Sequence, residues 1–362
     1  MVGLAVASEL VEVLPSVLLL ERNEGLGEET SSRNSEVIHS GIYYPCDSLK
    51  TRLCCRGREL LYQFCDTKRV PYRNTAKLIV STTSQEDEGL EELRERARKS
   101  ELRGVEILTR QECKAMESEV SCRAALLVPQ SGIVDSHSLM ARLAASIRGG
   151  GGDMALGTTL LCAEVLGDGF SLLVRDQYEQ EYSFTSRWVV NAAGLQSDRV
   201  ASLFGIDPDE ACYRLHYAKG SYFGYSGPPL KLERLIYPCP DPSSLGIHLV
   251  LDLGGQCRFG PDLEYLNSRC IDYSVDPGKR WDFHRAITRY LPQIDEKYLH
   301  PAFSGIRPKL ASKDEGFRDF VIVREDSRSL AQLINLIGID SPGLTSSLAI
   351  AERVKNMMDL QS

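Results

Sequence analysis

The sequence predicts an α/β protein, α+β overall: a doubly wound Rossmann-like domain of the nucleotide-binding type with an inserted antiparallel-sheet substrate domain. Three observations predict it. Short apolar runs suited to buried parallel strands alternate with amphipathic helical stretches near the beginning, in the middle and at the end of the chain. From about residue 206 to 297 the pattern changes to short alternating strands broken by Gly and Pro. The chain has 362 residues and is 43% hydrophobic, enough for two sizeable cores. The first domain is expected over 1–45, 133–205 and 298–362, and the second over 46–132 and 206–297.

Residues 1–10 read as a helix with small residues on one face, and Val17-Leu18-Leu19-Leu20, ending in Glu21, as a strand buried on both faces. Where a strand should precede that helix there is only Met1, so the expectation is that the first strand of the domain is missing. Residues 30–44 form a polar loop, and 49–65 a helix. Ala76-Lys77-Leu78-Ile79-Val80 is a strand, and 86–100 a charged helix with a narrow stripe of Leu90, Leu93 and Ala97. Asp135 or Ser136 caps a helix carrying Leu139, Leu143 and Ile147, which runs out in Gly149-Gly150-Gly151-Gly152. With no strand leading into it, that glycine run reads as a connection rather than a phosphate loop. Arg187-Trp188-Val189-Val190 and 333–338 are further strands, and about 345–358 is the closing helix.

Composition excludes several functions. The net charge is −8 and basic residues are dispersed among acidic ones, which argues against nucleic acid as a partner. Eleven cysteines without a Cys-x-x-Cys pair read as reduced structural thiols. The six histidines (39, 137, 216, 248, 284, 300) are scattered, so no metal site is expected. No apolar run approaches the roughly 18 residues of a membrane span.

Four segments point to a bound dinucleotide. Such a site needs glycines where a strand turns into a helix, and an acidic residue about 20 positions later for the ribose. Gly3 and Glu21 are 18 apart, with Gly3 as the last glycine of a Gly-x-Gly-x-x-Gly whose first two are absent; alone, Gly3 reads equally as an incidental helix glycine. The loop Ser31-Ser32-Arg33-Asn34-Ser35 supplies hydroxyl and cationic groups, and His39 followed by Gly41 sets an imidazole where backbone can approach a planar ring; an isolated His is as often structural. Asn191-Ala192-Ala193-Gly194 ends a strand in residues with almost no side chain, which suits either a flat cofactor or tight helix–sheet packing. Residues 338–345 lead from strand to helix, offering Gly343, Leu344 and Thr345 at a helix N-terminus, with Asp340 or Ser341 as a cap.

Together these segments resemble the D-amino-acid-oxidase-like FAD oxidoreductases, and within them the L-2-hydroxyglutarate dehydrogenase family. Further marks, collinear over nearly the whole chain, are Ile38-His39-Ser40-Gly41-Ile42-Tyr43-Tyr44, Gly132-Ile133-Val134-Asp135, Lys219-Gly220-Ser221-Tyr222-Phe223, Gly246-Ile247-His248-Leu249, Phe259-Gly260-Pro261, Gly305-Ile306-Arg307-Pro308-Lys309 and Ser341-Pro342-Gly343-Leu344-Thr345. The resemblance implies FAD as cofactor and a small anionic 2-hydroxy acid, L-2-hydroxyglutarate, oxidised to 2-oxoglutarate. It implies a quinone-linked or other electron acceptor, a mitochondrial location if the source is eukaryotic and a cytoplasmic one otherwise, with peripheral membrane association compatible. On chemistry, Arg307 is the expected carboxylate clamp, since a guanidinium fork pairs both oxygens. His39 and His248 are the candidate bases. Lys219, Tyr222 and Tyr43 are candidates for the distal carboxylate. Two rival readings are an amine or amino-acid oxidase on the same scaffold, and a cofactor-free product lacking the first strand, which would fold poorly or hold FAD weakly.

Overall fold

The computed structural model describes residues 1–240 and 246–358. The first layer is built on parallel pairs. Leu18–Leu20 runs parallel to Asp153–Ala155, and Val189–Asn191 parallel to Leu330–Ile337, which Val321–Glu325 extends antiparallel. Against these strands lie the opening helix Val2–Leu10, the helix Ser136–Gly149 and the closing helix Gly343–Met357. The opening helix buries Leu4, Ala5, Val6, Ala7 and Leu10, and packs on the other two. As expected, Asp135 caps its helix by accepting the Ser138 amide at 2.8 Å, and the glycine run connects that helix to Asp153–Ala155.

The second layer is a large mixed sheet. Its order is Glu264–Tyr265, His216–Tyr225, Cys257–Phe259, Leu249–Leu251, Leu235–Pro238, Lys77–Ser81, Ala124–Val128, Glu106–Thr109, with Leu299–Lys309 also paired to His216–Tyr225. The charged helix Ser84–Lys99 starts with a capping box of Thr83 and Glu86 and buries Leu90, Leu93 and Ala97, the stripe read from the sequence.

Four expectations need correction. Leu18 is 45% exposed, so its strand is not buried on both faces. The region 206–297 is not purely antiparallel, because Leu235–Pro238 pairs parallel with Lys77–Ser81 from the preceding segment. The helix Leu49–Lys68, expected in the second domain, puts Leu53, Leu61 and Cys65 into the core of the first and crosses the closing helix. Conversely Leu299–Lys309, expected in the first domain, is a strand of the large sheet.

Candidate functional site

The opening and closing helices both start at the polar loop of residues 30–44, and the closing one has no side-chain cap. At the opening helix, the amine of Met1 donates to Ser31 Oγ at 3.0 Å, and the charge of Glu21 reaches it. A Cβ on Gly3 would lie 3.4 Å from that of Ala192, so the Asn191–Gly194 turn lies against this helix start. Asn191 shapes the turn, donating to Ser197 O and Asn335 Oδ1 and accepting from the Ala193 amide. Gly194 has φ +54° and open space where a side chain would be. Glu21 accepts both from the amide and from the side chain of Asn23 at 3.0 Å.

At the closing helix, Pro342 holds the cap position and makes no side-chain cap bond, correcting the expectation of an Asp340 or Ser341 cap. Asp340 instead pairs with Lys50 at 2.8 Å and Lys309 at 3.2 Å, and Ser341 accepts from the Tyr44 hydroxyl at 3.3 Å. The Gly343 amide bonds Asp340 O at 2.6 Å, and the first-turn amides of Leu344 and Thr345 are left without a side-chain cap. Thr345 Oγ1 accepts the backbone N–H of His39 at 3.0 Å and donates to Val37 O at 3.3 Å, tying the imidazole turn to this helix start.

The loop between these starts is held from the other layer. Thr30 donates to Ile306 O at 2.9 Å, and a Cβ on Gly305 would overlap the Arg33 carbonyl, so glycine is what allows the approach. Asn34 bridges Ser31 O and the Glu36 amide; Ser32 Oγ reaches Glu29 O only at 3.5 Å; Ser35 lies beside the Tyr222 hydroxyl. Arg33 stacks on Tyr273, 4.0 Å from the ring centroid, with its buried Nε unpartnered. Gly41 has φ +94°, and a Cβ there would meet Cys55 Sγ at 3.3 Å. Uncapped helix starts, glycines, hydroxyls and unpartnered buried polar atoms form a donor set that fits an extended dinucleotide.

Opposite stands a wall of rings and bases. Tyr237 stacks on His248 at 3.6 Å and faces Tyr43 at 6.4 Å. Burial pushes the Tyr43 hydroxyl well above 10, and it has no hydrogen-bond partner among the described residues. Burial drives His39 well below its ordinary 6.5, and the charges of Lys77 and His248 push it further. Arg307 donates to Asp262 O at 3.2 Å, shares a sheet face with Gly220 and Tyr222, and acts on the Tyr222 and Tyr44 hydroxyls.

His39, His248, Tyr43, Tyr222 and Arg307 thus belong to one connected cluster. Lys219 does not join it: it points from the other face of its strand and pairs with Asp272 at 3.2 Å. Sequence reasoning missed Lys77, Tyr237 and Tyr44. The readable signal was a lysine inside the apolar run Ala76–Val80, which turns out fully buried.

The profile described as FAD dependent oxidoreductase matches residues 1–357. The chain is 38% identical to the mitochondrial L-2-hydroxyglutarate dehydrogenase of Arabidopsis thaliana, over 98% of this chain and 81% of the relative. It is 29% identical to the L-2-hydroxyglutarate dehydrogenase of Indibacter alkaliphilus, over 98% and 95%. Among solved structures, dithionite-reduced L-alpha-glycerophosphate oxidase from Mycoplasma pneumoniae with FAD bound superposes with a TM-score of 0.87 at 24% identity, over 99% and 92% of the two chains. Glycine oxidase from Geobacillus kaustophilus does so at 0.79 and 18%, over 100% and 92%. These two likenesses bear on the fold.

Proposed function

We propose that this chain, which belongs to the FAD dependent oxidoreductase family and within it to the L-2-hydroxyglutarate dehydrogenases, oxidises L-2-hydroxyglutarate to 2-oxoglutarate with FAD as cofactor. The flavin, when bound, supplies what side chains cannot, a two-electron acceptor for the hydride on the substrate's 2-carbon. Gly3, Glu21, Ser31–Ser35, Gly41, Ala193, Gly194 and Gly343–Thr345 are the groups that would hold it.

The observation that carries the reading is a buried imidazole, tied through Thr345 to the closing helix, beside the ring-bearing loop whose Tyr44 hydroxyl feels the Arg307 guanidinium. A 2-hydroxy acid needs both: a base for the hydroxyl proton and a cation for the carboxylate. His39 takes the proton, and its depressed affinity for protons keeps it unprotonated and ready at neutral pH. His248 stacks on Tyr237 beside it as the second candidate. Arg307 takes the carboxylate next to the reacting carbon with its two-pronged donor set. Tyr222 and Tyr43 offer hydroxyls to the rest of the substrate. Electrons then pass to a quinone-linked acceptor, and the compartment in a eukaryotic cell is the mitochondrion, as in the name of the Arabidopsis relative. Among the described residues, no helix is long and apolar enough to cross a membrane.

The test is turnover. The purified full chain should be yellow and should reduce an artificial acceptor with L-2-hydroxyglutarate faster than with its D-enantiomer or L-glutamate. Equal or better turnover of L-glutamate, with release of ammonia, would replace this reading with the amino-acid oxidase one.

A further inference from the structure

The facing wall holds one charge-bearing group that the reaction above leaves unused. Lys77 opens the strand Lys77–Ser81 with 0% of its surface exposed, and its Nζ has no hydrogen-bond partner among the described residues. Nζ lies 4.0 Å from the ring centroid of Tyr237 and 5.3 Å from that of Tyr43. Ring faces compensate an ammonium in part, but its three N–H donors still require acceptors, and leaving them unmade in the interior is costly. Among the described residues, the ionisable groups around it are His39, His248, Tyr43, Tyr237 and the Cys54 thiol, and none of these is a carboxylate. Other buried or half-buried cations are already committed: Lys50 and Lys309 to Asp340, Lys219 to Asp272, and Arg58 to Ser40 O at 3.1 Å.

We propose that Lys77 is the specificity-determining residue of this site, its Nζ receiving the distal carboxylate of a dicarboxylic 2-hydroxy acid whose other carboxylate rests on Arg307. The inference rests on the 2-hydroxy-acid reading above. A dianion entering a buried site needs two cations, and Arg307 supplies one. A planar fork suits the carboxylate fixed beside the reacting carbon, whereas a point charge with three rotatable donors suits the end of a flexible chain.

The protonation balance follows. Burial, only partly opposed by the Cys54 thiol, brings Lys77 down to about 7, so at pH 8 the empty site holds mainly the neutral amine. A bound carboxylate favours the ammonium and raises that value, so each binding event draws a proton from solvent. Affinity for a dicarboxylate then falls above pH 7, by at most about tenfold per unit, and is flat below it as far as this lysine is concerned.

The experiment uses the full chain with FAD bound and glutarate, which has both carboxylates and no hydroxyl to oxidise. Calorimetry at pH 8 in two buffers of different ionisation enthalpy should show uptake of about one proton per glutarate bound. Lys77→Met should abolish that uptake, weaken glutarate about 10- to 100-fold, and lower kcat/KM for L-2-hydroxyglutarate by a similar factor relative to that for L-2-hydroxypentanoate, a monoacid of the same length. Absence of proton uptake in the unmodified chain overturns the proposal, as does an equal fall for both acids in a variant that keeps its flavin. If Lys77→Met fails to fold, the uptake measurement on the unmodified chain decides. Failure of the unmodified chain to oxidise either acid would count against the reaction assigned above, while the glutarate-linked proton would still be read by itself.

Discussion

The guanidinium of Arg307 crosses the neighbouring strand at Gly220, where a Cβ would overlap its Nη2 and come 2.7 Å from Pro261 Cβ, and the Asp262 carbonyl holds it there. Charge alone is therefore not what the site requires. Arg307→Lys keeps the charge and loses the fork, and should cost roughly 1.5–3 kcal/mol of transition-state stabilisation, or about 10- to 100-fold in kcat/KM, with unchanged flavin content. Gly220→Ala should produce a loss of similar size with every catalytic group still present; normal kinetics in either variant would remove Arg307 from the site. His39 gives a different signature. Because burial and then the charges of Lys77 and His248 hold it well below 6.5, protonation should silence the enzyme only at pH values under the usual histidine range. A pH profile of kcat/KM with an acid limb near 6.5 that vanishes in His39→Gln would contradict this. His39 and Arg307 stand out in the sequence because each sits in a distinctive run of small and polar neighbours. Lys77 shows in the sequence only as a lysine inside an apolar run, which ordinarily reads as the solvent face of a strand, and the rings of Tyr237 and Tyr43 beside it reveal its burial.

Where the long helix Leu49–Lys68 crosses the closing helix, Gly57 sits so close that a Cβ would overlap Thr345 O and come 2.7 Å from Ser346 Cα. In an isolated helix, alanine is favoured over glycine by about 1 kcal/mol. Here overpacking against backbone should reverse the sign, giving a net loss of about 1–3 kcal/mol for Gly57→Ala. Flavin should also bind more weakly, because the displaced residue is the Thr345 that holds His39. Urea unfolding and flavin titration test both, and a more stable variant would refute the packing argument. The helices themselves were readable from period and caps, as Asp135 and the Leu90, Leu93, Ala97 stripe illustrate. Their partners were not: Gly57 announces no crossing, and the parallel register of Leu235 with Lys77 joins segments whose sequences carry no mutual signal. Amphipathicity tells a helix which face is buried, without telling it against what.

Three distant parts of the chain meet at Asp340: Lys50 from the long helix at 2.8 Å, Lys309 from the end of the strand carrying Arg307 at 3.2 Å, and the turn into the closing helix. The sequence shows a cap-like Asp before a helix, and separations of 290 and 31 residues leave no local trace of the pairing. Burial raises the Asp340 carboxyl, but the two lysine charges and their hydrogen bonds outweigh it and hold it below the usual 3.8. A carboxyl depressed on folding contributes stability that is fully present above its unfolded value and is lost as pH falls through the folded one. Asp340→Asn should therefore destabilise the protein at pH 7 by about 3–5 kcal/mol, the cost of stranding a buried cation. Lys50 would bear most of it, since Lys309 is half-buried and reaches water, while Lys50 keeps only the faces of Phe320 at 5.0 Å and of Tyr44 and Phe317 at 5.6 Å. Urea midpoints across pH 7 to 3 should show the gap between the two proteins narrowing below about pH 4. A gap constant over that range would mean that Asp340 acts through the backbone of its turn, whose Gly343 amide bonds Asp340 O at 2.6 Å in either protein, and not through the charge that joins the two layers.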